Sequence, residues 1–245
     1  MRECSRILTA GFAAFMVAGS ASAATLIATI DDYNGGDQRV ADAPDLVPTN
    51  ASQVAYGNAI GGYRDMAVSN DQGSADATEL RVSNGALQFS NISLASGTGI
   101  ITYDGDDDPN VLDPFGLGGV DLQVGSLSQN YFLFDVIDAD GNIDVTVDAF
   151  DMSGGQSTYF ETLSPGLGFS PFLFYNEFVG NADFNDIGAL RFTVASTNGI
   201  IDRDGAIDEI GAYYVPVPAS GILMIGGLGG LLACRRMRRS RVAQA

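Results

Sequence analysis

The stretch ELRVSNGALQFSN, residues Glu79–Asn91, places two short runs of β-forming residues on either side of an Asn84-Gly85 pair. An Asn-Gly pair readily adopts the positive φ angles that a two-residue hairpin turn requires. Neither run has the length or the period of a helix. The stretch therefore predicts a β-hairpin whose turn is Asn84-Gly85.

Similar short apolar runs, bounded by Gly, Asn and Asp, continue on both sides of this hairpin. They predict an all-β fold, an antiparallel β-sandwich of jelly-roll-like type, over residues 24–214. The polar, proline-containing segment Gln38–Asn50 is predicted to be a surface loop. The other candidate strands are Thr25–Tyr33, Gly99–Gly105, Val120–Val124, Asn130–Asp138, Asn142–Asp151, Ser157–Leu163, Pro171–Phe178, Ala189–Ser196 and Ala206–Tyr214.

Charge separates this body from the two ends of the chain. Of 30 acidic and 12 basic residues, the body holds 29 acids and five arginines, a net charge of about −24. Such a surface repels nucleic acid and anionic lipid. The only two cysteines, Cys4 and Cys234, lie outside the body, so no disulfide is expected within it.

Composition also limits catalysis, because the body contains no histidine, cysteine or lysine. This excludes Ser-His and Cys-His nucleophiles, histidine-ligated zinc and Schiff-base chemistry. We therefore predict no enzymatic activity. The alternatives left open are a carbohydrate-binding module and a paired-carboxylate glycosidase. Tyr175 and Tyr213 are candidate exposed platforms for a sugar, whereas Phe172, Phe174 and Phe178 alternate as core residues would.

The N-terminus has the layout of a secretory signal peptide. Arg2 and Arg6 precede an apolar run from Ile7 to Val17, and small residues follow. Ala21 and Ala23 occupy the small-x-small positions that signal peptidase requires. Residues 1–23 are therefore predicted to be removed, with the mature chain beginning near Ala24.

The C-terminal segment, residues 215–245, combines a proline motif, an apolar run and an arginine cluster. A helix from Ala219 to Cys234 would span about 24 Å, somewhat less than a bilayer core of about 30 Å. The cluster Arg235, Arg236, Arg238 and Arg239 predicts a cytoplasmic C-terminus by the positive-inside rule. The segment is thus expected to enter the membrane at least transiently, with a simple anchor as the alternative to a processed signal.

The sequence VPVPASGILMIGGLGGLLACRRMRR, from Val215 to Arg239, resembles the C-terminal sorting segments of the PEP-CTERM class, in particular the VPLPA-type variant. Val215, Pro216, Pro218 and Ala219 match the motif positions, and Val217 replaces the usual leucine. The resemblance implies recognition and removal of the tail by an exosortase-type membrane protease. It also implies an exported, non-enzymatic protein of the cell surface or the extracellular matrix, which is first a membrane-anchored precursor and is then associated with exopolysaccharide.

Two acidic loops are weaker candidates for cation binding, DADGN by its partial calcium-loop spacing and YDGDDDPN by its dense carboxylates. In DADGN, the residues Asp138, Asp140 and Asn142 alternate, but the glycine is not at the sixth loop position, and a turn is the simpler interpretation. In YDGDDDPN, solvation of the carboxylates is the simpler interpretation.

A third candidate cation site joins the first and last predicted strands. Strand alternation directs Asp32, like Ile30, inward at the end of the first strand, and Asp208, like Ile210, inward at the beginning of the last. If the two strands are antiparallel neighbours, as in the galactose-binding-type jelly rolls that the IDDY and AIDEI segments resemble, both carboxylates meet. Two semi-buried carboxylates require compensation, either by a structural Ca²⁺ or by an arginine such as Arg203 or Arg64.

Overall fold

The computed structural model describes residues 23–42, 49–51, 58–70, 78–91, 95–106, 108–196 and 204–216. Residues Leu26–Tyr214 form one compact unit, and the two ends of the chain belong to a second unit that lies almost wholly outside these ranges. Ala21, Pro218, Ala219, the arginine cluster and the predicted C-terminal helix also lie outside them. Within the described ranges, no helix is long and apolar enough to cross a membrane.

The described residues contain fifteen β-strands and three 3₁₀ turns, with no α-helix. The turns are Ile60–Gly62, Leu127–Gln129 and Tyr175–Glu177. The strands, β1 to β15, are Thr25–Asp31, Gln38–Asp42, Thr49–Ala51, Asp65–Asn70, Thr78–Ser83, Ala86–Asn91, Gly97–Tyr103, Asn130–Ala139, Ile143–Asp151, Gln156–Leu163, Gly166–Phe169, Phe172–Phe174, Val179–Gly180, Ile187–Ser196 and Asp204–Tyr214.

These strands form two antiparallel sheets, which confirms the predicted all-β sandwich. The eight-stranded sheet has the order β11-β8-β15-β6-β5-β2, with β12 also paired to β8 and β1 to β15. The seven-stranded sheet has the order β13-β10-β9-β14-β7-β4-β3. The expected pairing of the first and last strands is therefore present. Since Leu26 lies next to Gly211 near the end of β15, β1 runs antiparallel to it.

The predicted hairpin is also confirmed. Strands β5 and β6 pair from Thr78↔Asn91 to Ser83↔Ala86. Asn84 and Gly85 have φ angles of 53° and 76°. A two-residue turn with left-handed backbone conformation at both positions requires such positive values. The turn residues therefore set the register of this hairpin.

The core fills the space between the sheets and is rich in aromatic rings. Phe132 and Phe134 of β8 are 0% and 1% exposed and contact Phe192 of β14 across the sandwich, with ring centroids 6.1 and 5.5 Å apart. Tyr175 stacks on Phe184 at 4.2 Å. Phe132 and Phe134 thus define the inward side of β8, so Leu133 between them lies on the outer side of the sheet.

A buried polar network crosses the same space. Arg64 donates from Nε and Nη2 to the two carboxylate oxygens of Asp31, at 2.6 and 2.7 Å, and both side chains are fully buried. Tyr103 of β7 donates its hydroxyl to Asp31 at 2.9 Å, and Arg64 lies over the ring of Tyr33. Gln38 of β2 donates to the Arg64 carbonyl. The network therefore ties β1 and β2 of one sheet to β7 of the other.

Three sequence predictions about strands are wrong. The expected loop Gln38–Asn50 contains β2, in which Gln38 and Asp42 are buried. Their side chains can be buried because they form hydrogen bonds with the backbone of Arg64 and Asn70. Val120–Val124 makes only an isolated bridge from Val120 to Ile187. The expected strand Pro171–Phe178 ends at Phe174, where a 3₁₀ turn begins.

Candidate carbohydrate-binding face

Four aromatic side chains lie together on the outer side of the eight-stranded sheet. Tyr131 is the register partner of Tyr213 on one side and of Phe174 on the other, and Phe172 pairs with the next outward residue, Leu133. Their chain neighbours Phe132, Leu173 and Ala212 are buried in the core, so these four rings face away from it. We call Tyr131, Phe172, Phe174 and Tyr213 the aromatic platform.

The rings of the aromatic platform contact one another closely. Tyr131 lies 5.0 Å from Phe172 and 5.4 Å from Phe174, and it stacks on Tyr213 at 5.7 Å with an angle of 12° between the rings. Tyr131 is only 2% exposed, whereas Phe172 is 53% exposed. Tyr131 therefore forms the base of the platform, with Phe172 as its most accessible ring.

Gly211 determines how Tyr213 is presented. A Cβ atom at this position would lie 2.7 Å from the Tyr213 ring, 3.3 Å from Leu26 and 3.4 Å from a carboxylate oxygen of Glu209. Only the absence of a side chain lets the Tyr213 ring lie so close to the strand backbone. The ring therefore lies low over β15.

Carboxylates border the platform on the same outer side. Glu209 of β15 is the register partner of Asp135 of β8, two residues along each strand from the Gly211↔Leu133 pair. The hydroxyl of Ser170 donates to Asp135 at 3.1 Å. The pKa of Glu209 is raised by its burial and by the negative charges of Asp32, Asp208 and Asp135. We call Asp32, Asp135, Asp208 and Glu209 the acidic border.

Carboxylates of the acidic border affect the pKa of one platform residue, Tyr213. Burial raises the pKa of the Tyr213 hydroxyl, and Glu209, Tyr131 and Asp135 raise it further. The described ion pairs, Arg39–Glu79, Arg64–Asp31 and Arg191–Asp148, involve none of the border carboxylates. Arg81 is exposed on β5, two strands from β15. Like charges directly opposite across a strand pair are destabilising, so the border carries an electrostatic cost.

The two predicted metal ligands occupy different environments. Asp32 is half-buried and accepts hydrogen bonds from the Asn34 backbone and from the Asn58 side chain at 2.8 Å. Asp208 is exposed and not inward-facing, because the register shifts on both sides of Ile207 and interrupts the alternation. Both act on Glu209, so they do lie at one end of the sandwich. Among the described residues, no group of three or more ligating side chains is arranged to hold a metal ion.

The arginine alternative is realised one residue earlier than expected. Arg64 pairs with Asp31, whose side chain points between the sheets. Leu26, near the start of the same strand, is 46% exposed. Arg203 lies outside the described ranges. The carboxylate that receives an arginine at the end of β1 is therefore Asp31 and not Asp32.

The aromatic predictions divide in a similar way. Tyr213 belongs to the aromatic platform and is partly exposed, but Tyr175 is only 1% exposed and packs in the core. Phe172 and Phe174 face outward, contrary to their predicted core role, because Leu173 between them is the inward residue of β12. Phe178 packs against the core as expected.

Beyond the ends of β7 and β8, the described residues of the acidic loops lie in connections between strands, and Asp107 is outside the described ranges. Asp140, Gly141 and Asn142 connect β8 to β9. Asp104 is buried, contrary to the expected solvation, because its carboxylate accepts backbone hydrogen bonds from Asp106 and Asp113 at 3.2 and 2.9 Å. Asp106 and Asp108 are exposed.

Comparison with known proteins identifies no family, since no family model and no curated protein matches this sequence. Among solved structures, PfGH50B is similar over 79% of this chain and 24% of its own, at 12% identity and a TM-score of 0.42. This chain therefore spans about a quarter of that protein.

Two carbohydrate-binding modules are similar over most of their length. The family 11 module of the cellulase Lic26A-Cel5E of Clostridium thermocellum is 10% identical, with 80% of this chain and 97% of that one covered and a TM-score of 0.35. TmCBM61, solved with β-1,4-galactotriose, is 12% identical, with 61% and 88% covered and a TM-score of 0.35. At such values, these likenesses do not bear on the ligand of this chain.

Proposed function

We propose that this protein is a non-catalytic carbohydrate-binding β-sandwich whose ligand lies across the aromatic platform. The single observation that carries the proposal is the outward cluster of four contacting rings on a sheet face, with Phe172 half exposed. Recognition sites commonly combine an aromatic surface with a few polar groups that fix orientation. An exposed ring offers such a surface to the apolar C–H face of a sugar.

The polar groups beside the platform suit the hydroxyl groups of a glycan. Ionised carboxylates are hydrogen-bond acceptors, and hydroxyl groups are the donors that sugars supply. Asp135 and Glu209 lie two residues from the Phe172 row, a distance of about 7 Å along a strand. A sugar resting on Phe172 therefore has acceptors within reach of its neighbouring residue.

Binding of soluble polysaccharides tests this proposal. Phe172→Ala and Tyr213→Ala should each weaken binding about tenfold or more, since removal of a central aromatic contact typically costs more than 1 kcal/mol. Phe160→Ala is the matched control, because Phe160 is 62% exposed but lies on the seven-stranded sheet. Equal binding by Phe172→Ala and the unsubstituted protein would remove the platform as the binding site.

A glycosidase is the second candidate, and the pairing of Asp135 with Glu209 favours it. Carboxyl groups about 5 Å apart are the arrangement of retaining glycosidases, and directly opposed residues have Cβ atoms at about that separation. Release of reducing ends from a bound polysaccharide, lost in Glu209→Gln, would establish hydrolysis. Binding without release supports the non-catalytic proposal.

We also propose that the protein is exported and processed at both ends by signal peptidase and an exosortase-type protease. Support comes from the sequence alone, in the charge and apolar pattern of residues 1–23 and 215–245. Intact-mass measurement of the surface or released protein should give a product beginning near Ala24 and ending between Val215 and Ala219. A stable species that retains Arg235 would instead indicate a simple membrane anchor.

A further inference from the structure

We propose that the glycan recognised by the aromatic platform carries protonated amino groups, which pair with the acidic border. The inference rests on the proposed carbohydrate-binding function and specifies its ligand class. It depends on the position of the border, on its uncompensated charge and on the absence of basic side chains beside the platform among the described residues.

The acidic border lies next to the aromatic platform on the same sheet face. The platform and the border occupy successive rows of one sheet face: Tyr131 with Tyr213, then Leu133 with Gly211, then Asp135 with Glu209. Phe172 lies beside the middle row. An amino sugar stacked on Phe172 thus has its substituents about 7 Å from the carboxylate row, within reach of one sugar unit.

The negative charge of the acidic border favours a positively charged ligand. Glu209 faces Asp135 across the strand pair, and Asp32 and Asp208 add to the same negative field. The described ion pairs leave these four carboxylates without an arginine. A ligand ammonium group would relieve this repulsion, whereas a uronate or sulfate group would increase it.

The body as a whole selects in the same direction. Its net charge of about −24 attracts a cationic polymer and repels an anionic one at a distance. Arg39 and Arg81, the basic residues on this sheet face within the described ranges, lie on β2 and β5. These strands follow β6 on the side of β15 away from β8, so neither arginine adjoins the platform.

Calorimetric titration of the full-length protein in mild detergent tests the inference with three probes: hexamers of glucosamine and of N-acetylglucosamine, and cellohexaose. The glucosamine hexamer should bind at least tenfold more tightly than the other two at low salt. This advantage should shrink at about 0.5 M salt, where exposed charges are largely screened. Equal affinity for the glucosamine and N-acetylglucosamine hexamers would overturn the inference.

Charge-neutral variants locate the effect. Asp135→Asn combined with Glu209→Gln should bring the affinities for the glucosamine and N-acetylglucosamine hexamers to within about twofold of each other, because both ligands lose the same hydroxyl contacts and only the amine also loses its charge partner. The matched control is Asp144→Asn with Glu161→Gln, which removes the same charge from the seven-stranded sheet. A preference that survives in the border variant, with its fold verified by thermal melting, would contradict this assignment.

The outcomes separate the inference from the proposed function. If all three hexamers bind through Phe172 with equal affinity, the ligand class is wrong and the carbohydrate-binding proposal stands. If none binds and the polysaccharide panel is also negative, both fail. If the preference appears only with added Ca²⁺ and disappears with EDTA, the border holds a metal ion and the direct pairing with ammonium is wrong.

Discussion

The carboxylate of Asp31 and the guanidinium of Arg64 form a bidentate ion pair, with hydrogen bonds of 2.6 and 2.7 Å, and both side chains are fully buried. The Tyr103 hydroxyl and the Tyr33 backbone N–H also donate hydrogen bonds to the Asp31 carboxylate. Burying two charges is costly unless both are fully paired. The pair therefore specifies one arrangement of the two sheets at this end of the sandwich.

Removing one partner should be strongly destabilising. Arg64→Met leaves the Asp31 carboxylate buried without its cation, and we expect the free energy of unfolding to fall by about 3–5 kcal/mol. The double variant Asp31→Leu/Arg64→Met should recover more than half of this loss, because no charge remains buried. Urea unfolding measures both, and a single variant as stable as the unsubstituted protein would contradict the role assigned to the pair.

Two buried tyrosines should respond differently to loss of their hydroxyl groups. Tyr103→Phe removes the hydrogen bond to Asp31 and should cost about 1–2 kcal/mol. Tyr175→Phe should be neutral or slightly stabilising, because the Tyr175 hydroxyl is buried without a hydrogen-bond partner among the described residues. Thermal melting of the two variants gives the comparison. An equal loss in both would show that Tyr175 has a partner.

The acidic border should reduce stability at neutral pH. A carboxyl group whose pKa is raised by folding destabilises the folded state above that pKa, and the penalty disappears as pH falls below the unfolded value. Glu209→Gln should therefore raise the free energy of unfolding at pH 7 by about 0.5 kcal/mol. At pH 3 the variant and the unsubstituted protein should melt together. A variant that is less stable at pH 7 would show that Glu209 has a favourable partner.

Asp151 should behave in the opposite way. Its burial raises its pKa, but the backbone N–H of Asp183, the Ser153 side chain and the N–H groups of Gly155 and Ser153 outweigh this and lower the pKa to about 2. The resulting stability is present above the unfolded value of about 3.9 and is lost as pH falls towards 2. Asp151→Asn should cost about 2 kcal/mol at pH 7 and distinctly less at pH 2, as urea unfolding at both pH values would measure. An equal cost at both would exclude the charge as its origin.

Local turn chemistry was the most predictable part of the fold. Asn84 and Gly85 determine their own hairpin, because the positive φ angles that the turn needs are a property of these two residues. By contrast, β2 could not be distinguished from a loop, since Gln38 and Asp42 are buried only by virtue of partners on Arg64 and Asn70, which are distant in sequence.

The candidate site was harder to predict because alternation does not say which face is inward. Phe172, Leu173 and Phe174 are all apolar, so either side of β12 was a plausible core face, and only the pairing with β8 decides between them. Similarly, the register shifts beside Ile207 move Asp208 out of the phase that simple alternation assigns. Bulges of this kind depend on the neighbouring strands and have no distinct sequence signal.

The position of Tyr213 at the end of β15 has a mechanical consequence. Tyr213 is one residue from the last residue of its strand, and β15 is hydrogen-bonded to β8 and also paired with β1. If a glycan binds the Tyr213 ring and the chain is held at its C-terminal end, as proposed, tension between the two would pass through a single residue of backbone and bypass the aromatic core. The sandwich would then stay folded while the bound polymer is pulled.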